Sequence, residues 1–325
     1  MDYRDCFFKG RSGVSRMSMK KFSKNRDGFT LKSRIIKSRY YYLMLFPFML
    51  MFITFTVLPV ISSLLLSFTS FNMFEMPKFI GADNYIRLIL EDDVFIKALK
   101  NTLLFAVITG PVGYILSFIV AWLINEMGRT ARSFITLIMY GPSLAGNVYY
   151  IWTFIFSGDS KGLVNNALIQ LGIISDPISW LTDTDYNFGV VLIVVIWMSL
   201  GAGFLSFVAG LQSLDRTFFE AAAIDGVKNR FQEMYYVTLP QMAPQLLFGA
   251  VMSISSAFAV GAQCSALTGS PSTNYSTHTL LLHMTDYGTV RFEMGYASAI
   301  AVVLFLMMMF TWMLINKVLR KYSAD

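Results

Sequence analysis

The chain has 325 residues, of which 55% are hydrophobic and only 14% are charged, and its net charge is +6. This charge-poor composition excludes an ordinary soluble domain and favours an all-α membrane protein. Twelve of the 26 basic residues precede Tyr40 and abut an apolar stretch, so we expect them to meet anionic membrane lipids and expect no nucleic-acid partner.

Six long stretches contain no Asp, Glu, Lys or Arg, and each can hold the roughly 20 apolar residues that cross a bilayer. The fifth stretch, 234–285, is too long for one helix and too polar towards its end for two. The first stretch starts late and lacks a convincing cleavage site, so it is not interpreted as a signal peptide. We therefore predict six transmembrane helices, at about 41–68, 103–124, 134–156, 190–211, 246–267 and 296–315.

The distribution of Lys and Arg predicts the orientation of these helices. With a cytoplasmic N-terminus, 20 of the 26 basic residues lie on the inner side, as the positive-inside rule requires. Both termini and the loop 213–241 are then cytoplasmic. Residues 1–39 form a basic arm, which is either an amphipathic interfacial helix over 29–39 or a disordered tether. Residues 40–325 form the six-span domain.

The predicted outer loops hold few groups suited to chemistry. Asp92 and Asp93 are interpreted as a solvated face, and His278 and His283 as polar surface residues. A five-residue separation of two histidines is poor spacing for a shared metal, so we expect no metal site. The two cysteines fall on opposite sides of the membrane and are not expected to pair.

A short polar island lies between the fourth and fifth predicted spans. Its three alanines favour a helix with little side-chain bulk, which could enter a cleft in another protein. Its carboxylates could meet a basic partner, and its glycine permits a turn closed to other residues. The island consists of Glu220, Ala221, Ala222, Ala223, Asp225 and Gly226, and Ile224 lies between Ala223 and Asp225.

This island, followed by Leu239-Pro240, resembles the EAA loop of ABC importer permeases, the coupling helix that docks on the ATPase subunit. Phe46-Pro47, the segment 79–85 and Trp180-Leu181 resemble carbohydrate-uptake members of that family, and the likeness extends over residues 43–317. The overall chain is similar to the first permease subunit of alginate-type importers. One departure is that ten residues, 227–236, precede Val237 where the family usually has nine, and one residue turns a helix by about 100°.

The resemblance implies a type I ABC importer permease fold in the cell inner membrane. It implies a permease subunit that moves an oligosaccharide, such as an alginate-type uronate, by ATP-driven alternating access. The expected partners are a homologous second permease, two copies of an ABC ATPase, and a periplasmic or surface solute-binding protein. This chain is then not an enzyme and holds no cofactor, because ATP and Mg²⁺ belong to the ATPase.

A sugar path needs amide and hydroxyl groups for ring hydroxyls and aromatic side chains for apolar ring faces. For each aromatic candidate, anchoring at the lipid interface is an equal alternative. Trp197 is favoured because, in the maltose-importer subunit that this chain resembles, the corresponding segment contributes to the sugar site. The candidates are Trp197, Ser199, Asn147, Tyr149, Tyr150, Trp152, Ser255, Ser256 and Gln263.

Three other classes of function remain as alternatives. A charged residue within a span costs about 2.5–3.5 kcal/mol, and ion relays carry such residues in spite of that cost. A secondary carrier or channel is therefore disfavoured, because the predicted spans contain no charged residue. An intramembrane enzyme would present a reactive set within a span, and none is evident. An importer for a non-sugar solute, such as a polyamine or a phosphate ester, is the alternative within the same family.

Overall fold

A computed structural model describes residues 39–323, with side chains to residue 317, and these residues are almost entirely helical. The α-helices are α1 (Arg39–Phe52), α2 (Leu58–Leu66), α3 (Asp83–Leu90), α4 (Asp93–Asn125), α5 (Arg129–Leu144), α6 (Tyr150–Ile155), α7 (Leu163–Gln170), α8 (Asn187–Met198), α9 (Ala202–Ser213), α10 (Arg216–Ile224), α11 (Arg230–Glu233), α12 (Leu239–Gln241), α13 (Ala243–Phe258), α14 (Ala262–Thr268), α15 (Leu280–Thr285) and α16 (Met294–Ser323). Single π-helical turns occupy Ile53–Val57, Met234–Thr238 and Asp286–Val290, and a 3₁₀ turn occupies Thr273–Tyr275. Within residues 39–323 the only β-pairing is an isolated antiparallel bridge between Thr69 and Phe79, so the all-α prediction is confirmed there. The predicted arm, apart from Arg39, lies outside the described residues.

Four helices in the described part of the chain are long and apolar enough to cross a bilayer, and a fifth candidate is a bent pair. The four are Arg39–Leu66, Asp93–Asn125, Asn187–Ser213 and Met294–Lys317, and the pair is Arg230–Gln241 with Ala243–Phe258, bent by 83°. The predicted third span, 134–156, is not one helix. Ala145 adopts an extended conformation after α5, and α6 begins only at Tyr150. The predicted fifth span is likewise interrupted, between α13 and α14.

The chain divides into two units, Met1–Val60 and Ile61–Asp325, which are described separately. In the first unit, every side chain of α1 is exposed, as expected for a helix whose apolar surface faces lipid. Leu58 donates its N–H to the carbonyl of Ile53 across the π turn. Pro59 follows directly and has no N–H for the carbonyl four residues earlier, so the wide turn accommodates the proline without ending the helix.

The second unit is built around α4, which packs against both α9 and α13. Its buried residues recur every three or four positions and form one stripe, whereas apolar residues on the remaining surface, such as Val107 and Ile115, are exposed and suited to lipid. The helix begins at Asp93, ten residues before the predicted boundary at Leu103, and its first turns carry Lys97 and Lys100. The predicted start of the span lies after the start of the helix because the prediction counted only the uncharged stretch.

Glycines allow these central helices to approach closely. A Cβ added at Gly113 would lie 2.8 Å from the Cβ of Ser199, and one at Gly203 would lie 3.5 Å from the backbone of Gly249. A Cβ at Gly249 would overlap the ring of Phe207. Small residues are the usual means by which membrane helices bring their backbones together.

The surface interpretation of Asp92 and of both histidines is wrong. His278 and His283 are only 3% and 2% exposed. Asp92 caps α4 by accepting the Phe95 N–H at 2.9 Å through Oδ1, while its Oδ2 lies 2.7 Å from the Tyr296 hydroxyl and 2.9 Å from His283 Nε2. A buried carboxylate thus joins the start of α4 to α15 and α16. Asp93, in contrast, is exposed as predicted.

The charge states in this Asp92 network follow from burial and hydrogen bonding. Burial raises the pKa of Asp92, but the hydrogen bonds from Tyr296, from the Phe95 N–H and from His283 outweigh it and leave the pKa below its ordinary value. Burial is the main reason that the pKa of His283 lies below its ordinary value, although the hydrogen bond and the charge of Asp92 act to raise it. Burial, reinforced by His283, lowers the pKa of His278 to about 4. Near neutral pH the network therefore holds one carboxylate and two neutral imidazoles.

Candidate coupling segment and transmembrane cavity

The predicted island forms a short helix with defined ends. Asp215 caps α10 by accepting the Thr217 N–H at 3.0 Å. At the other end Gly226 has φ +94°, and the N–H of Val227 donates to the Ala222 carbonyl at 3.0 Å. This 6→1 bond after a left-handed residue is a Schellman motif, which a glycine at this position favours. The structure therefore places Gly226 where the sequence predicts the turn.

A second set of contacts holds the chain after Gly226 against the C-terminal end of α4. Asn229 caps α11 by accepting the Gln232 N–H at 2.9 Å. Arg230 forms ion pairs with Glu233 at 3.0 Å and with Glu126, just beyond α4, at 3.2 Å. The ring of Phe231 lies 5.7 Å from that of Trp122. These contacts join the segment 215–233, which we call the coupling segment, to the body of the second unit.

The coupling segment presents apolar as well as acidic surface. Glu220, Asp225 and Gly226 are exposed, as are Ala221 and Ala223, whereas Ala222 is partly buried. Ile224 is 87% exposed, and Phe218 and Phe231 are also exposed. Large apolar side chains rimmed by polar groups are typical of protein-interaction surfaces rather than of solvated loops.

The π turn Met234–Thr238 lies where the sequence has one residue more than the family pattern. Leu239 donates its N–H to the carbonyl of Met234, five residues earlier. A turn closed by such a bond encloses one residue more than an α-helical turn. It can therefore take up the additional residue locally, so that the chain after it keeps its orientation.

A cavity of about 480 Å³ lies between α4, α9 and α13, beside the break that separates α8 from α9 at 199–201. It unites four of the predicted path residues: Ser199, Ser255, Ser256 and Gln263. The Oε1 atom of Gln263 is buried and has no hydrogen-bond partner among the described residues.

The other predicted path residues lie apart from this cavity. Trp197 and Trp152 contact each other edge to face, with ring centroids 5.3 Å apart. Through Phe156, this pair continues to Trp180. Asn147 and Tyr150 are exposed, and the Tyr149 ring lies against that of Tyr150. The aromatic candidates thus form a cluster of their own, next in sequence to Ser199 through Trp197.

Four polar residues of the cavity were missed by sequence reasoning: Tyr114, Ser117, Ser143 and Ser253. A serine hydroxyl within an apolar helix can donate to a backbone carbonyl of its own or a neighbouring segment and therefore gives no distinctive sequence pattern. The available signal was the three- and four-residue spacing of small residues at Gly110, Gly113 and Ser117 on α4. Within the described residues, no group of three or more His, Cys, Asp and Glu side chains could hold a metal ion.

Comparison with known proteins identifies the family. Residues 113–321 match the family described as binding-protein-dependent transport system inner membrane component. The chain belongs to this family. The match spans the last part of α4 and all of the coupling segment, so the cavity and the segment are parts of one inner membrane component.

Named relatives of this inner membrane component are permeases rather than enzymes. The chain is 32% identical to the probable ABC transporter permease protein YesP of Bacillus subtilis (strain 168) over 269 residues, which cover 81% of this chain and 84% of the relative. It is 31% identical to the lactose transport system permease protein LacF of Rhizobium radiobacter, over 85% of this chain and 93% of LacF.

The fold of the inner membrane component is that of a solved importer. A chain in the crystal structure of a bacterial ABC transporter involved in the import of the acidic polysaccharide alginate superposes with a TM-score of 0.73 at 23% identity. The superposition covers 90% of this chain and 98% of the other. The predicted type I ABC importer permease fold is therefore confirmed.

Proposed function

We propose that this permease subunit imports an oligosaccharide by alternating access, driven by ATP hydrolysis on a separate subunit. The observation that carries the proposal is the pairing of a hydroxyl-lined cavity with an exposed coupling segment two residues beyond α9. Named relatives include transport system permeases for lactose and for arabinooligosaccharides, which supports a sugar as the substrate.

The proposed topology has six spans with both termini in the cytoplasm. Four spans and the bent pair meet the length and apolarity of membrane helices. We assign the remaining span to α5 and α6 together, broken at 145–149. The distribution of basic residues supports an inner-side location for the coupling segment and both termini in the bacterial inner membrane.

The coupling segment is proposed to dock on the ATPase. The small side chains of Ala221 and Ala223 let the α10 backbone approach a partner closely, and Ile224 offers an apolar anchor for a pocket. Glu220 and Asp225 supply the acidic rim. The complete importer would then contain a homologous second permease, two ATPase copies that bind ATP and Mg²⁺, and a solute-binding protein at the outer face.

The docking proposal is tested by charge substitution at its apolar centre. Ile224→Lys should abolish co-purification of the ATPase and sugar-stimulated ATP hydrolysis, because the added charge would be desolvated in the contact. Ile173→Lys is the matched control, since Ile173 is also exposed but lies in the loop after α7. Equal ATPase recovery for both variants would refute docking at α10.

The proposed substrate path also includes the aromatic cluster at Trp197. Trp197→Ala should slow sugar uptake while leaving ATPase co-purification unchanged, because the residue lies far in sequence from the coupling segment and packs against Trp152. Transport at the unsubstituted rate would remove Trp197 from the path.

A further inference from the structure

The polar side chains that line the cavity are all uncharged. Among the residues that the structure describes, its hydrogen-bonding side chains are one tyrosine, six serines and one glutamine, and no lysine, arginine or histidine lines it. A carboxylate buried there would meet no countercharge from this subunit. Burying an ion without a partner is costly even where polar groups surround it.

The serine hydroxyls have already used their hydrogens. Ser253 donates to the carbonyl of Gly110 at 2.8 Å, and Ser255 and Ser256 donate to backbone carbonyls of α13 at 3.0 Å. A carbonyl oxygen cannot donate, so the direction of each bond is certain. Ser117, Ser143 and Ser199 and the hydroxyl of Tyr114 likewise donate to backbone carbonyls. These side chains therefore offer oxygen lone pairs to a ligand rather than hydrogens.

Two further groups complete the set of donors and acceptors. The buried Oε1 of Gln263 is an acceptor without a partner among the described residues, and the NH₂ group of the same amide supplies two neutral donors. At the break, Gly201 precedes α9 and provides no side-chain cap, so the first N–H groups of the helix are free of intrahelical bonds. The cavity wall thus carries several hydrogen-bond acceptors and a few neutral donors. A sugar hydroxyl both donates and accepts and can satisfy both kinds, whereas an ionised carboxylate can only accept.

We propose that this cavity binds a neutral sugar ring, and that the imported substrate is a neutral oligosaccharide rather than a uronate. The inference rests on the proposed function and narrows its substrate class. The N-terminus of α9 alone would attract an anion, because its free N–H groups carry partial positive charge. The acceptor oxygens of the serines and of Gln263 would repel that anion and so oppose the attraction.

The experiment compares uptake by the complete importer in proteoliposomes. Neutral oligosaccharides of two to five units are set against uronate oligosaccharides of the same lengths. We expect neutral sugars to be taken up about tenfold faster or more. Ser256→Arg places a cation on the cavity wall, where Ser256 is exposed, and should narrow or invert this ratio. Thr289→Arg, at an exposed position outside the cavity, is the matched control.

Because the solute-binding protein is the same in every arm, a change of ratio confined to Ser256→Arg reports on the cavity itself. Uronate uptake equal to or faster than neutral uptake, or an identical ratio in Ser256→Arg and Thr289→Arg, would overturn the neutral-ring inference while leaving the importer function intact. Uptake of neither sugar class by an importer that still hydrolyses ATP in response to another solute would overturn the proposed function itself.

Discussion

Replacing Asp92 should destabilise the contacts among α4, α15 and α16 far more than the sequence-based interpretation of Asp92 as a surface residue suggests. Asp92→Ala removes the cap of α4, which costs about 1 kcal/mol, and leaves two buried donors without an acceptor, at about 1–3 kcal/mol each. The two donors are the Tyr296 hydroxyl and His283 Nε2. We therefore expect a loss of roughly 3–7 kcal/mol, against less than about 0.5 kcal/mol for Asp93→Ala at the next, exposed position.

The measurement is thermal unfolding of the detergent-solubilised protein, followed by the loss of monodisperse material. Because membrane proteins usually unfold irreversibly, the variants are compared at one heating rate. Asp92→Asn should fall between the two alanine variants, since its amide oxygen still caps α4 while its NH₂ group faces other donors. If Asp92→Ala unfolds at the same temperature as Asp93→Ala, the network contributes nothing and the reasoning fails.

Three further predictions concern other parts of the second unit. The pKa of His278 is 6.5 in the unfolded chain and about 4 in the folded one, so protonation in acid favours the unfolded state. The free energy of unfolding should therefore fall as the pH drops from 6.5 towards 4, and His278→Gln should flatten that dependence. Gly249→Ala should cost about 1–3 kcal/mol by overlap with a phenylalanine ring, whereas Gly141→Ala, with no described atom within 4 Å, should be neutral or stabilising in the same unfolding assay. Asn165→Ala should increase proteolysis within the loop 157–187, because its buried amide bonds three carbonyls and two N–H groups, and Asn166→Ala, which is exposed, is the control.

The coupling segment was well predicted because its structure is local. A capping Asp215, three alanines and Gly226 determine where α10 begins and ends without help from distant residues. The π turn at Met234–Thr238 could not be foreseen, although the extra residue that it accommodates was counted in the sequence. An added residue can be taken up by a rotation, a loop or a wide turn, and only packing selects among them.

The Asp92 network was missed because its members are far apart in the chain. Asp92 meets His283 across 191 residues. In a single sequence, two histidines in a polar loop look the same whether they are exposed or buried. The break within the predicted third span was missed for a different reason. Hydropathy measures the apolar length of 134–156 but not the extended residue Ala145 that interrupts its helix.

The break at 199–201 leaves α8 and α9 without a continuous backbone hydrogen-bond ladder, so the two halves can tilt independently. Only Leu214 and Asp215 separate α9 from α10. A helix of the length of α9 is a rigid rod of about 18 Å, with its N-terminal end at the cavity wall. A displacement of the segment 215–233 would therefore be carried through α9 to the cavity wall without requiring α8 to move.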